Sequence, residues 1–351
     1  MSNYALSVSA KGQAVVTAKY QAPELRRKVP TVFEMALKNQ QISIPNAPDL
    51  RKSELRPVEI YYQTDVAPGS ATAKTALHTG NYGDSGKIEL TYVTHVETFS
   101  IPRKIAQNNM LQYQEIWNTQ YAMKWANLRK RHDDSALAFV YNNRLQRAKS
   151  VIDPQIASAN PGFWNETNYA LEIDAGKASR FVQKAKSFMA ARLYTGTTYD
   201  VIADLQVADE FEYASQQGSG NQTNLAWQFA NCNISKTQDQ ITSNYGNGCM
   251  LIMPTGMLAG MYWNDPLNVR GVMAGENEVG MLGTKADPYG SGAVADVSMY
   301  TKRADTSANT SGGSTQDIMD HWELTLTVAY AVPPLKTTGE SVVALIGQAN
   351  S

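Results

Sequence analysis

The chain has 351 residues, 43% of them apolar and 18% charged, and its 31 Lys and Arg against 32 Asp and Glu leave a formal net charge of −1. An apolar share of that size supplies a sizeable core and excludes global disorder, over a length that suits one large domain or two to three small ones. The charge balance removes any whole-chain electrostatic drive toward nucleic acid or an anionic membrane.

The N-terminal stretch MSNYALSVSAKGQAVVTAKY has no basic region leading into a continuous apolar run, so it does not read as a secretory signal. Pro23, Pro30, Pro45, Pro48 and Pro57 then recur at a density that argues against long helices and predicts an irregular, extended arm lying on another surface. The basic cluster Arg26, Arg27 and Lys28 within it reads first as a solvated face.

Two alternating segments follow. PVEIYYQT places Val58, Ile60 and Tyr62 on one face, and GKIELTYVTHVETFSIP begins with Ile88, Leu90 and Tyr92 on one face before the phase shifts near Val93. Period-two alternation rich in β-branched and aromatic residues predicts strands, joined as a long antiparallel hairpin. The joining stretch, Val66 to Lys87, is too long for a tight turn, and such a hairpin needs a neighbour to cover its faces.

That stretch holds Gly80, Gly83 and Gly86 followed by Lys87, which superficially suggests a phosphate-binding loop. The pattern G-x-x-x-x-G-K-[ST] requires a glycine where Asn81 stands and a hydroxyl where Ile88 stands, and a helix where a strand follows. Nucleotide binding is therefore rejected, and the glycines read as flexibility near the hairpin tip.

From about Asn108 to Ser150 the stripe Trp117, Tyr121, Trp125, Leu128, His132, Ala136 and Val140 predicts one uninterrupted helix. At that length it would extend roughly 60 Å, beyond the needs of a compact domain. A second helix is expected from Asp174, an N-cap, with Ala178, Phe181, Val182, Ala185, Met189 and Leu193 on one face. TYDVIADLQVADEFEYASQQG reads as a buried strand over Val201–Ala203 and a short helix, and GCMLIMPTGMLAGMYW is expected to repeat that strand–helix plan around Pro254. DTSANTSGGSTQD reads as a flexible loop before HWELTLTVAYAVPP, the cleanest strand alternation in the chain, and SVVALI closes the sequence as a last strand. Helices and strands mixed without a βαβ rhythm give the fold class α+β.

No constellation for catalysis emerges. His78, His95, His132 and His321 are scattered, and neither a nucleophile elbow nor a metal-binding histidine pattern occurs. His132 reads as a hydrogen-bonded histidine at a packed interface, and Asp133, Asp134, Asp204 and Asp209 as solvated or capping carboxylates. Cys232 and Cys249 do not form a C-x-x-C pair; free, partly buried thiols are the preferred reading and a disulfide between them the alternative. The most apolar run, Met250 to Trp263, is shorter than the roughly 20 residues of a membrane span and is cut by Pro254, so the expectation is a soluble product of a cytoplasm.

The order of elements carries a resemblance. IELTYVTHVETFSIPRKIAQNNMLQYQEIWNTQYAMKWANLRKRHDDSALAFV is similar to the returning extended-loop strand and spine helix of the tailed-bacteriophage major capsid proteins, a fold shared with encapsulin shells and the herpesvirus capsid floor. ASRFVQKAKSFMAARLYTGTTYDVIADLQVADEF resembles the first helix, strand and short helix of that family's axial domain, and NLAWQFANCNISKTQDQI its next strand-bearing segment. HWELTLTVAYAVPPL is similar to the closing strand of the peripheral domain.

The resemblance implies an N-terminal arm over 1–50, an extended hairpin loop over 51–105 and a spine helix with peripheral domain over 106–169. It further implies an axial domain over 170–275 and a return to the peripheral domain over 276–351. The implied function is non-enzymatic and without cofactor: hexamers and pentamers of the chain itself building an icosahedral virion shell in a host cytoplasm. The implied partners are a portal, scaffolding or decoration proteins, and packaged double-stranded DNA held by nonspecific contacts. Expected assembly contacts are Arg26, Arg27, Lys28, Ile60, Tyr62, Ile88, Leu90 and Tyr92. The lysine–asparagine cross-link of some phages in the family is not carried over to Lys74 or Lys87, for want of a matching partner motif. Two rivals stand beside this reading: an encapsulin-like cellular compartment shell, and a soluble α+β enzyme, whose mark would be a concave pocket with perturbed titratable groups.

Overall fold

In the structure, a computed structural model, residues 29–43, 59–63, 85–103, 110–146, 163–173, 181–191, 198–217, 231–266, 279–303, 318–333 and 341–349 are described. The first element among the described residues is α1 (Thr31–Ser43), inside the stretch where an irregular arm was expected. Pro30 stands immediately before it, where a missing N–H costs nothing, and Glu34 lies in its first turn, toward the positive end of the helix. Val32, Phe33, Ala36 and Leu37 form its buried face. The proline spacing concealed a helix of 13 residues that belongs to the core.

β1 (Glu59–Gln63) and β2 (Ser85–Glu89) pair antiparallel, with Ile60 opposite Ile88. Leu90 and Thr91 lead directly into β3 (Tyr92–Pro102), which leaves the hairpin for another sheet. The phase shift near Val93 is this transfer: Leu90 is buried before it, and Phe99 and Ile101 after it.

α2 (Met110–Asn142) spans 33 residues, about 50 Å at helical rise. Its stripe is as expected, with Tyr121, Trp125, Leu128, His132, Ala136 and Val140 buried. It ends at Asn142, short of Ser150, where Leu145 N donates to Val343 O at 2.8 Å.

β4 (Phe163–Asn165), β5 (Ala170–Ile173) and α3 (Phe181–Ala191) follow, and the N-cap expected at Asp174 lies outside the described residues. β6 (Tyr199–Asp204) runs into α4 (Leu205–Gln217) as expected, then come β7 (Cys232–Thr237) and β8 (Cys249–Pro254). After Pro254 the expected helix is absent. Gly256 at φ 86° turns the chain into β9 (Ala259–Trp263), a strand that pairs antiparallel with the later segment Thr327–Ala331. Ladder pairing overrides the helix propensity of its Ala and Met residues. β10 (Val279–Ala286), β11 (Val294–Arg303), β12 (Ile318–Ala331) and β13 (Ala344–Gln348) complete the chain.

Among the described residues the strands form three sheets. β12 is the axis of a five-stranded antiparallel sheet, with β3 along one side and β11 then β9 along the other, and β10 beyond β11. α2 covers its inner face: Trp117 stands edge-on to Trp322, with ring centroids 5.5 Å apart. The six-stranded sheet has the order β4-β5-β13-β8-β6-β7 and mixes parallel pairs (β5/β13, β6/β7) with antiparallel ones. Every residue of β6 and β8 is buried, as for strands covered on both faces. The third sheet is the β1–β2 ribbon. The fold class is α+β.

Candidate assembly surface

The ribbon's faces differ in kind. Ile60 and Ile88 point inward, and Ile60 packs with Tyr92 against Leu90, Ala259, Met261 and Ala329, so β9 and β12 supply the seat for its base. Leu90 is 2% exposed in that cluster, which removes it from the expected assembly contacts: its apolar surface is already covered by its own chain. Ile88 and Tyr92 are half-buried.

Glu59, Tyr61, Lys87 and Glu89 fall on the opposite face, where Tyr61 faces Lys87 across the ladder. Lys87 Nζ lies 2.6 Å from Glu59 Oε1, and Tyr61 Oη donates to Glu59 Oε2 at 2.8 Å. The Lys87 hydrogen bond holds the Glu59 carboxyl below the ordinary carboxylate range, and Glu59 in turn raises both Lys87 and Tyr61. An ion pair this exposed contributes little stability. What it does is orient the Tyr61 ring, which is 73% exposed. Tyr61 was not among the expected contacts, although its signal was in the sequence: once Ile60 and Ile88 pair, Glu59 and Tyr61 must share a face with Lys87. Arg26, Arg27, Lys28 and the Tyr62 side chain lie outside the described residues.

Elsewhere the polar side chains tie the subunit together. Asp133, on α2, accepts from Val32 N and Phe33 N at 2.8 and 3.0 Å, so it caps α1 and not its own helix. Arg129 is 8% exposed at its side chain, pairs with Glu34 and lies 3.4 Å from Asp287 Oδ2, joining α1, α2 and the β10–β11 turn. Asp204, expected at a solvated or capping position, is buried and accepts from Ile241 N, Cys249 N and Cys249 Sγ at 3.0, 3.1 and 3.2 Å. Burial raises its carboxyl despite those bonds, and burial beside Asp204 pushes the Cys249 thiol up. Cys232 is half-buried, and both thiols are free.

His132 is wholly buried and hydrogen-bonded, as expected of an interface histidine: Nε2 lies 3.0 Å from Leu326 O and Nδ1 3.2 Å from Tyr330 Oη. A groove of about 340 Å³ is lined by Asp204, Leu205, Gln206, Gln238, Asp239 and Gln240, with no histidine in its wall. Among the described residues no group of three or more His, Cys, Asp or Glu is placed to hold a metal ion, and no helix is long and apolar enough to cross a membrane.

No family model matches the chain, and no curated protein does. Among solved structures it is similar to one titled Mycobacterium phage Che8, at 11% identity and a TM-score of 0.48, over 90% of both chains. It is similar to a Cyanophage Pam1 capsid asymmetric unit at 10% identity and TM-score 0.49, over 85% of this chain and 87% of that one. A Cyanophage A-1(L) capsid asymmetric unit matches at 13% identity and TM-score 0.47, over 86% and 92%. With TM-scores under 0.5, these likenesses leave the functional reading to the chain's own architecture.

Proposed function

We propose that this chain is the major capsid protein of a tailed bacteriophage, self-assembling into the icosahedral shell that encloses a double-stranded DNA genome. The observation that carries the reading is the β1–β2 ribbon, which hydrogen-bonds to no third strand among the described residues and presents an oriented, 73% exposed Tyr61 on its outer face. A two-stranded ribbon is at best marginal in water, so this one depends on what covers it. Among the described residues, its own chain covers the inner face only. Repetition of a heterologous contact, ribbon of one subunit on the body of the next, closes rings and then shells.

The rest of the architecture suits that role. The 33-residue α2 serves as the spine, the five-stranded sheet under it as the peripheral domain, and the six-stranded sheet as the axial domain at capsomer centres. The boundaries are then 1–50 for the arm, 51–105 for the hairpin loop, 106–169 for spine and peripheral domain, 170–275 for the axial domain and 276–351 for the return. β9 is the strand that crosses back within the axial segment, since it joins β12. Arg26, Arg27, Lys28, Ile60, Tyr62, Ile88 and Tyr92 remain proposed contacts, joined now by Tyr61. Partners are other copies in hexamers and pentamers, a portal, scaffolding or decoration proteins, and DNA through weak phosphate contacts. The shell forms in the host cytoplasm and needs neither catalysis nor cofactor.

Sedimentation velocity tests this on the full chain and on a variant lacking residues 67–84. The full chain is expected to form large, discrete assemblies, and the deletion a folded subunit that does not assemble. Because β1 and β2 flank the deleted stretch and stay in place, Tyr61→Ala is run beside it; if both variants assemble like the full chain, the ribbon is not the contact and the reading is overturned.

A further inference from the structure

His95 and His132 meet between the long helix and the sheet beneath it. His95 stands on β3 opposite Leu326 of β12, and His132 comes down from α2, so that the two rings lie edge to face with centroids 4.6 Å apart. The polar atoms around them fix the protons. Leu326 O only accepts, so His132 Nε2 carries the hydrogen at that 3.0 Å contact. The single hydroxyl hydrogen of Tyr330 points at His132 O at 2.9 Å, although His132 Nδ1 also lies 3.2 Å from Oη. One hydrogen thus faces two acceptors, and Nδ1 is a lone pair in the core.

Ser135 Oγ donates to Arg131 O at 2.9 Å and therefore accepts from His95 Nε2, also at 2.9 Å. Each ring is neutral with its hydrogen on Nε2, and each has a basic Nδ1. Protons arriving here meet a packed surface: the Phe33 ring of α1 stacks on His132 at 5.6 Å on the remaining side.

We propose that the His95–His132 pair is an acid-sensitive clamp, holding α2 on β3 and β12 while both rings are neutral and loosening that contact when they take up protons. The charged groups facing the pair do not compensate. From α2, the Arg131 guanidinium opposes a positive charge on either ring, while Asp134 and the Arg131 backbone carbonyl favour one on His95. From β3, Glu97 favours a charge on His95 but is engaged by Lys124 at 3.3 Å and Arg131 at 3.4 Å. From β12, Tyr330 offers a neutral hydroxyl, and from α1, Glu34 is paired with Arg129. Asp133, the buried carboxylate beside His132 in sequence, is turned to the α1 N-terminus.

Burial accordingly lowers His132 from 6.5 to about 3, with the nearby His95 adding to the effect, and burial lowers His95 as well. Because the packed state binds fewer protons than the open state below the ordinary value of 6.5, stability of the joint falls as pH falls through that window and is recovered as pH rises. His132 contributes up to about a tenfold increase in the open population per pH unit, and the more exposed His95 a smaller one. His95, half-exposed, charges first.

Hydrogen exchange read by mass spectrometry on the full chain between pH 7 and 5, corrected for the intrinsic pH dependence, tests the clamp. Peptides over residues 126–140 and 322–331 are expected to lose protection by more than about tenfold per pH unit below the ordinary histidine range, while β6 and β8 stay protected. His95→Gln keeps an Nε2 donor for Ser135 and is expected to reduce the loss to at most about tenfold per pH unit. Protection that is flat with pH, a loss spread evenly over β6 and β8, or a slope unchanged in His95→Gln would each overturn the clamp.

Discussion

The six-stranded sheet and the β1–β2 ribbon are made of similar residues and end in opposite conditions. Val201, Ala203, Met250 and Ile252 of the large sheet face Ala185, Phe188 and Met189 of α3 and Val207, Ala208 and Phe211 of α4. Ile202, Leu251 and Met253 on its other side enter the main core with α1 and α2. Its central strands β6 and β8 are thus covered on both faces within the subunit. The ribbon buries Ile60 on β9 and β12 and leaves Tyr61 to solvent. Strand chemistry alone does not distinguish the two; what covers each face does, and among the described residues nothing covers the ribbon's outer face.

If this contrast holds, damage to the body should cost stability and damage to the ribbon should cost assembly. The largest stability loss is expected from Trp125→Ala, whose wholly buried ring lies at the centre of the α2 stripe: about 3–5 kcal/mol by chemical denaturation. Trp117 is half-buried, stacked on Tyr121 at 4.8 Å, and its truncation should cost less than that of Trp125. Gly347→Ala comes next, because a Cβ there would stand 2.6 Å from the Tyr245 ring inside the large sheet; about 1–3 kcal/mol is expected. Asp133→Ala removes the acceptor that caps α1 and should cost about 1–2 kcal/mol, with Asp133→Asn recovering part of it. Tyr61→Ala should leave the denaturation midpoint where it is and lower the yield of assembled particles. A Tyr61→Ala variant that unfolds early would erase the contrast, since the ribbon would then belong to the core.

Much of the body was legible because its periodicities are long. β12 alternates Trp322, Leu324, Leu326 and Val328 inward, and the α2 stripe runs unbroken from Trp117 to Val140. The ribbon's alternation was legible in the same way, from Ile60 and Ile88, whereas its register emerges only in the paired strands. α1 was hidden because its start is also its punctuation: Pro30 reads as a breaker until Asp133, about a hundred residues away, is seen to cap the turn it begins. β9 was misread because Met, Ala and Leu favour helix locally, and only the β12 edge makes a strand of them. The buried role of Asp204 depends on Ile241 and Cys249 arriving from later segments, which no local pattern announces. Tyr61 gave no apolar signal, since it lies with Glu59 and Lys87 on the polar face of the ribbon, whereas an assembly contact belongs on the exposed face.

The most direct test of the account is negative-stain electron microscopy of the purified full-length chain. Closed shells of uniform diameter, or capsomer rings and tubes that share their lattice, are the predicted result. A monodisperse monomer across salt, pH and concentration, with no rings, tubes or shells, would contradict it.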